Sequence, residues 1–269
     1  MNTEYISYEF PLNERMRVFI RLEQLFLQLD HFLAGSNIWD KRAAVSTLVD
    51  ILQVFSRHDL KAETLKELER HSNRLNQLSN HEGIDTKRLR KILDDLNSTS
   101  KILYATNGKI DISSLKSDLF QTISQRSSIP GGTCSFDLPS YHYWLEQEKE
   151  RQNEDLDMWI SLFSPIRTAV DLILNFIRRS GSTTRETAHK GFYQATLEQT
   201  QPYQIVIIKL LRDTPYFVEI SGGKHRFTTR FMQPSTSNIR PKQAETDVDF
   251  LLTLKIMETE LSEVVIFSP

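Results

Sequence analysis

The informative run of chemistry-bearing residues is Ser221-Gly-Gly-Lys-His-Arg-Phe-Thr-Thr-Arg230, where Lys224, Arg226, Arg230 and His225 occur without an acid. If this run is a strand, alternation places Arg226, Thr228 and Arg230 on one face and Phe227, Thr229 and Phe231 on the other. The two arginines then stand about 13 Å apart, at ~3.3 Å per residue. That separation suits an extended acidic peptide or a phosphate backbone better than one small anion. The same pattern also describes a solvated edge strand guarded by positive charge against aggregation. Spacing alone leaves both readings open.

Other basic residues have simpler explanations beside the functional one. Arg17 and Arg21 stand at i,i+4 on one helix face, with Glu14 and Glu23 close enough in sequence to pair with them. Arg57 and His58, like Arg178 and Arg179, follow helix ends, where the helix dipole favours cations. Cys134 and His142 could form a thiolate pair with Asp137 as the orienting carboxylate. The simpler reading of Cys134 is a buried residue beside a packed turn. The motifs of serine hydrolases, zinc proteases and dinucleotide- or phosphate-binding loops are missing, and Gly131-Gly132 lacks the Lys-Ser/Thr that a phosphate loop needs. The seven histidines show no paired metal spacing. No catalytic residue, metal or cofactor is therefore expected, and the chain is read as no enzyme.

Composition narrows the classes further. The chain has 269 residues with 33 Lys+Arg against 35 Asp+Glu, a net charge of -2 that argues against a dedicated duplex-DNA binder. Hydrophobic residues make up 39%, including 15 Phe, which supplies a real core. One cysteine allows no internal disulfide and points to a reducing compartment. The first residues carry no secretory signal pattern, and the longest apolar run, 205–211, is far shorter than the ~20 residues a bilayer span requires. A cytoplasmic protein that does not insert into a membrane is expected.

The elements that must position these residues change character along the chain. Glu4 to Phe10 alternates as a strand ended by Pro11, and from Asn13 the apolar period becomes helical through Met16, Phe19, Leu22, Phe26 and Leu29. Further helices are expected near 41–56, 62–78, from an Asp85 cap, over 114–126, and from Pro139. The stripe Trp159 to Ile177 is the strongest helical signal, divided by Ser164-Pro165. It can serve as core or as a partner face. Pro130-Gly131-Gly132 imposes a tight turn, with Phe136 and Leu138 as core plugs. Seven or eight helices precede Gly181.

Beyond Gly181 come short β-rich runs at 191–194, 203–211, 216–220, 227–232 and 248–256, with hairpin connections at Asp213-Thr214-Pro215 and Ser221-Gly222-Gly223. The fold class is α+β. Residues 1–10 give a strand pairing with the β domain, 11–183 a helical domain, 184–256 a compact antiparallel sheet, and 257–269 a tail.

Several of these segments resemble one family. Pro11-Leu-Asn-Glu-Arg-Met-Arg17, Thr64-Leu-Lys-Glu-Leu-Glu-Arg70, Ser128-Ile-Pro-Gly-Gly-Thr-Cys-Ser-Phe-Asp-Leu-Pro139, Gly191-Phe-Tyr-Gln194 and Ile220 to Met232 are similar, in this order, to the ZapD family of Z-ring-associated cell-division proteins. The resemblance covers roughly residues 5–256. It implies a non-enzymatic homodimer with a helical and a β domain. Such a protein binds the C-terminal tail of the tubulin-like FtsZ at mid-cell, bundles its protofilaments, stabilises the Z-ring and lowers its GTPase activity. On matching positions the resemblance implies FtsZ-binding roles for Arg17, Arg21, Arg57, Lys224, Arg226 and Arg230, and for Arg126 and His142. The chain departs from the pattern at His225 in the hairpin and at Thr133, where some relatives would carry cysteine.

A second class of function is single-stranded nucleic-acid binding, in which Phe227 and Phe231 would stack bases beside Arg226 and Arg230. The placement of aromatics and arginines on opposite faces, and the acidic balance, count against it. No nucleic-acid partner is expected.

Overall fold

The fold follows from a switch in apolar period. The computed structural model describes residues 4–78, 85–106, 115, 117–179, 181–199, 201–235 and 240–256. Among these residues a strand, β1 (Tyr5–Pro11), precedes eight helices: α1 (Glu14–Ala34), α2 (Ile38–Arg57), α3 (Leu60–Leu78), α4 (Thr86–Ala105), α5 (Asp118–Arg126), α6 (Pro139–Leu145), α7 (Lys149–Ser161) and α8 (Ser164–Arg179). Seven strands follow: β2 (Thr183–Ala188), β3 (Phe192–Thr196), β4 (Tyr203–Leu211), β5 (Phe217–Gly222), β6 (Arg226–Gln233), β7 (Lys242–Gln243) and β8 (Val248–Ile256). This is the α+β order expected. The expected tail, 257–269, lies outside the described residues, as does Ser114 at the expected start of the fifth helix.

Tertiary contacts divide the chain into two units, and the division cuts through α1, α3, α4 and α8. One unit holds the described residues of Met1–Val18, Asn73–Leu93 and Leu174–Pro269, and the other those of Phe19–Ser72 and Asp94–Ile173.

The first unit is built on strands. All strand pairs are antiparallel, but they form two sheets where one was expected: β1-β4-β8-β2, and β3-β6-β5 with β7 also on β6. Asp213-Thr214-Pro215 is accordingly no hairpin. It carries the chain from β4 in one sheet to β5 in the other, with Thr214 N–H donating to Leu211 O at 3.0 Å. The physical reason is coverage of apolar faces. Phe227 and Phe231 of the smaller sheet and Val206, Ile208, Phe250 and Leu252 of the larger belong to one buried cluster, so each sheet covers the other's apolar face. β1 joins the larger sheet in full register with β4, from Tyr5 opposite Leu211 to Pro11 opposite Ile205. Pro11 can occupy this edge strand because, among the described residues, β1 has no ladder partner on its outer side.

The second unit is a helical core. Phe26, Leu29, Leu48, Ile51, Phe120, Trp159 and Phe163 are each at most 1% exposed. Phe55 meets Phe163 edge-on with ring centroids 4.9 Å apart, and Trp159 meets Phe120 at the same distance. Ser164-Pro165 does divide the apolar stripe, and α7 and α8 are bent by 62° at the break. Along that stripe Trp159, Phe163, Ile166, Val170 and Ile173 in this unit, and Leu174 and Ile177 in the first, are buried within the chain, so it is core. The helix expected from residue 41 starts at Ile38. Asn37 Oδ1 accepts from Trp39 N–H (2.8 Å) and Asp40 N–H (3.0 Å), while Asp40 Oδ2 accepts from Asn37 N–H (3.3 Å), a reciprocal cap.

Two expectations at the Pro-Gly-Gly turn need correction. Phe136 is not a core plug but 80% exposed, and Cys134 is exposed rather than buried. Leu138, at 3%, does enter the core. The turns that fold this loop bond its backbone to itself, leaving Phe136 on the outside. Among the described residues no single helix is long and apolar enough to cross a membrane.

Candidate functional site

The strand β6 delivers two arginines to one face. Its burial alternates, with Phe227, Thr229 and Phe231 fully buried and Arg226 and Arg230 exposed. Lys224 is exposed in the β5–β6 connection, which is closed by Gly223 N–H donating to Arg226 O at 3.0 Å. On the outward face Arg230 sits opposite Phe192 of β3 and Glu219 of β5, Thr228 opposite Gln194 and Ser221, and Arg226 opposite Thr196. Among the described residues neither the Arg226 nor the Arg230 side chain has a hydrogen-bond, ion-pair or ring partner. Glu219 stands on the neighbouring strand without closing a bridge to Arg230. The face therefore presents two unbridged cations, Arg230 with Glu219 across from it, separated by a threonine and roughly 13 Å along the strand. Because Phe227 and Phe231 face the core, they are not available to stack bases.

In the same unit Arg17 is engaged. Its Nε donates to Glu14 Oε2 at 3.1 Å, and its guanidinium carbon lies 5.5 Å from the Phe10 ring centroid. The Glu14 pairing read from the sequence is present, and Arg17 shapes the start of α1 rather than projecting as a free charge.

The other basic residues belong to the second unit. Arg21, one helical turn beyond Arg17 on α1, is exposed without a partner among the described residues. Arg57 is exposed in the last turn of α2, where the helix carbonyls favour it. Arg126 ends α5 and His142 lies in α6, so both are exposed and bracket the Pro-Gly-Gly loop. Ile129 N–H donates to Arg126 O (3.0 Å) and Gly132 N–H to Ile129 O (2.9 Å). A Cβ at Gly132 would fall 2.6 Å from Arg126 O, so only glycine lets these turns close.

Sequence reasoning missed the residue that fixes this loop, Arg42. Its guanidinium carbon lies 5.8 Å from the Trp39 ring centroid and 5.2 Å from that of Tyr141, and its Nη1 donates to Thr133 O at 3.2 Å. Burial pushes the Tyr141 hydroxyl up to about 12, against the opposing pull of Arg42, so Tyr141 stays neutral. The available signal was the aromatic Trp39 one helical turn from a basic residue, beside an aromatic-rich α6.

The family model for ZapD, described as a cell division protein, matches residues 20–230, more than half of the chain. This chain belongs to the ZapD family. It is 44% identical over 252 residues to the cell division protein ZapD of Methylococcus capsulatus, covering 94% of this chain and 98% of the relative. Over 248 residues it is 38% identical to the ZapD of Aromatoleum aromaticum and 35% identical to that of Chromobacterium violaceum. Each of those alignments covers 92% of this chain, with 96% and 98% of the relative respectively. Its role is in cell division. The ZapD match runs from within α1 through the Pro-Gly-Gly loop to the middle of β6, and so takes in all eight basic residues but Arg17.

Proposed function

We propose that this chain is a non-enzymatic, cytoplasmic homodimer that binds the C-terminal tail of FtsZ, cross-links protofilaments into bundles, stabilises the Z-ring and lowers FtsZ GTPase activity. The observation that carries this reading is the pair Arg226 and Arg230, exposed and without partners among the described residues on one sheet face of a ZapD-family chain. Lys224, Arg21, Arg57 and Arg126 are exposed as well and supply further cationic contacts, and His142 is an exposed hydrogen-bonding ring beside them in this reading. Arg17, engaged by Glu14 and Phe10, holds the first turn of α1 in place for its neighbours.

Charge complementarity between these residues and acidic groups of a tail speeds encounter and fixes orientation more than it adds affinity. A polymer presents many tails at high local concentration. For a dimer with two such sites, the second contact is intramolecular and weak single contacts become firm cross-links. Recruitment to mid-cell follows from the filament's own location.

The test is light scattering and pelleting of FtsZ polymers with this protein, using intact and tail-deleted FtsZ. Scattering that rises with intact FtsZ alone is the expected result. Equal bundling of both polymers would move the contact off the tail, and bundling of neither would remove the function.

A further inference from the structure

We infer that Trp39 and Phe136 are the apolar anchor of the tail-binding site in the helical unit, receiving large apolar side chains of the same peptide whose acidic groups meet Arg126 and His142. This deepens the tail-binding reading and rests on it. Trp39 is 73% exposed and Phe136 80% exposed, two of the largest side chains in the protein. Ile129, in the same loop as Phe136, adds a third apolar side chain at 47%. Exposed apolar side chains of this size, carried by elements that Arg42 joins through Trp39 and Thr133, mark an interaction surface more than a neutral one.

The surface is held, not loose. Arg42 ties three elements together, since it lies against Trp39 at the start of α2, against Tyr141 of α6, and donates to Thr133 O in the loop. The loop's backbone is closed on itself by Cys134 N–H to Gly131 O (3.0 Å), Asp137 N–H to Cys134 O (3.1 Å) and Leu138 N–H to Cys134 O (2.9 Å). Anchors fixed before binding lose little conformational freedom on contact, and tryptophan is among the side chains most often found at the energetic centre of an interface.

Charge identifies the occupant. The loop is entered at Arg126 and left at His142, both exposed. The carboxylate between them in sequence is Asp137, half-buried, and Asp40 beside Trp39 is held by Asn37. An extended peptide that alternates acidic with large apolar residues matches this arrangement.

Trp39 also supplies the readout. Of the three tryptophans in the chain, Trp144 is 4% and Trp159 1% exposed, so a change in solvent contact on binding reports on Trp39. The experiment titrates the full-length protein with a synthetic FtsZ C-terminal peptide, following tryptophan emission and, separately, anisotropy of a labelled peptide. Emission should shift to shorter wavelength as the peptide binds. Trp39→Ala and Phe136→Ser should each weaken binding by about tenfold or more, with melting temperature and sedimentation unchanged. A peptide with its apolar residues replaced by serine should bind wild type and variants alike. Peptide binding without an emission shift, or with unaltered affinity in both variants, overturns the anchor while leaving tail binding standing. Variants that sediment as monomers yet bind the peptide normally would assign the patch to a second copy of the chain, and also overturn it. Absence of peptide binding to wild type would fell the tail-binding reading and the anchor together.

Discussion

Arg226 and Arg230 owe their exposure to the residues between and beside them. Phe227, Thr229 and Phe231 enter the core, so strand alternation turns both arginines outward. Neither has a partner to lose among the described residues, and reversing the charge leaves no buried group unpaired. Arg226→Glu and Arg230→Glu should therefore reduce FtsZ bundling in a scattering assay by several-fold or more while shifting the melting temperature little. Wild-type bundling by both folded variants would take this face out of the site. Gly191 answers to backbone geometry instead. It follows Lys190 (φ 46°) with a φ of 68° of its own, and an added Cβ would lie 2.8 Å from the Ala244 side chain and 2.9 Å from its carbonyl oxygen. Gly191→Ala should destabilise the strand unit by about 1–3 kcal/mol, read from the urea midpoint. The basic motif of the hairpin was legible because alternation has a fixed period. Arg42 was not, because its partners Trp39, Thr133 and Tyr141 are brought together only by folding.

At the scale of elements, local signals and caps decide most boundaries. The Asn37–Asp40 cap starts α2 three residues earlier than its apolar stripe suggests, since a cap depends on side-chain hydrogen bonds and carries no apolar period. Asn37→Ala should cost about 1 kcal/mol in a denaturant melt. An unchanged midpoint would mean that packing alone fixes this helix start. β2 escaped sequence reading for a related reason. Its residues Thr183–Ala188 are mostly exposed and lack apolar alternation, and they form a strand because β8 offers a ladder from Thr183 opposite Thr253 to Ala188 opposite Val248. The connection through Asp213 reads locally like a hairpin turn, yet turn residues specify a reversal and not which strand lies on the far side.

For the molecule as a whole, solution conditions separate binding from folding. Exposed charges are screened over a Debye length of about 8 Å at 0.15 M salt. Bundling should fade as salt is raised while circular dichroism still shows a folded chain. Bundling that persists unchanged at high salt would rule out a charge-led contact. Acid acts on the fold through His71. This side chain is 4% exposed, and burial, with Arg70 nearby, pushes its pKa down to about 4 from 6.5. Between those values the unfolded chain binds the proton and the folded one does not, so stability falls as pH drops from about 6.5 towards 4. The contribution is on the order of 3 kcal/mol across that window. His71→Leu should flatten that part of the stability profile, and an unchanged slope would place the acid sensitivity elsewhere.

The sequence by itself determined the helical-then-strand order, the outward face of β6 and the family, because period, turn chemistry and long motifs are local properties of a chain. Tertiary structure alone decided that the strands divide into two sheets sharing one core and that Phe136 and Cys134 face solvent. It also decided that Arg17 is engaged while Arg226 and Arg230 are free among the described residues. Those outcomes depend on which distant residues meet, and burial and pairing are set by neighbours in space.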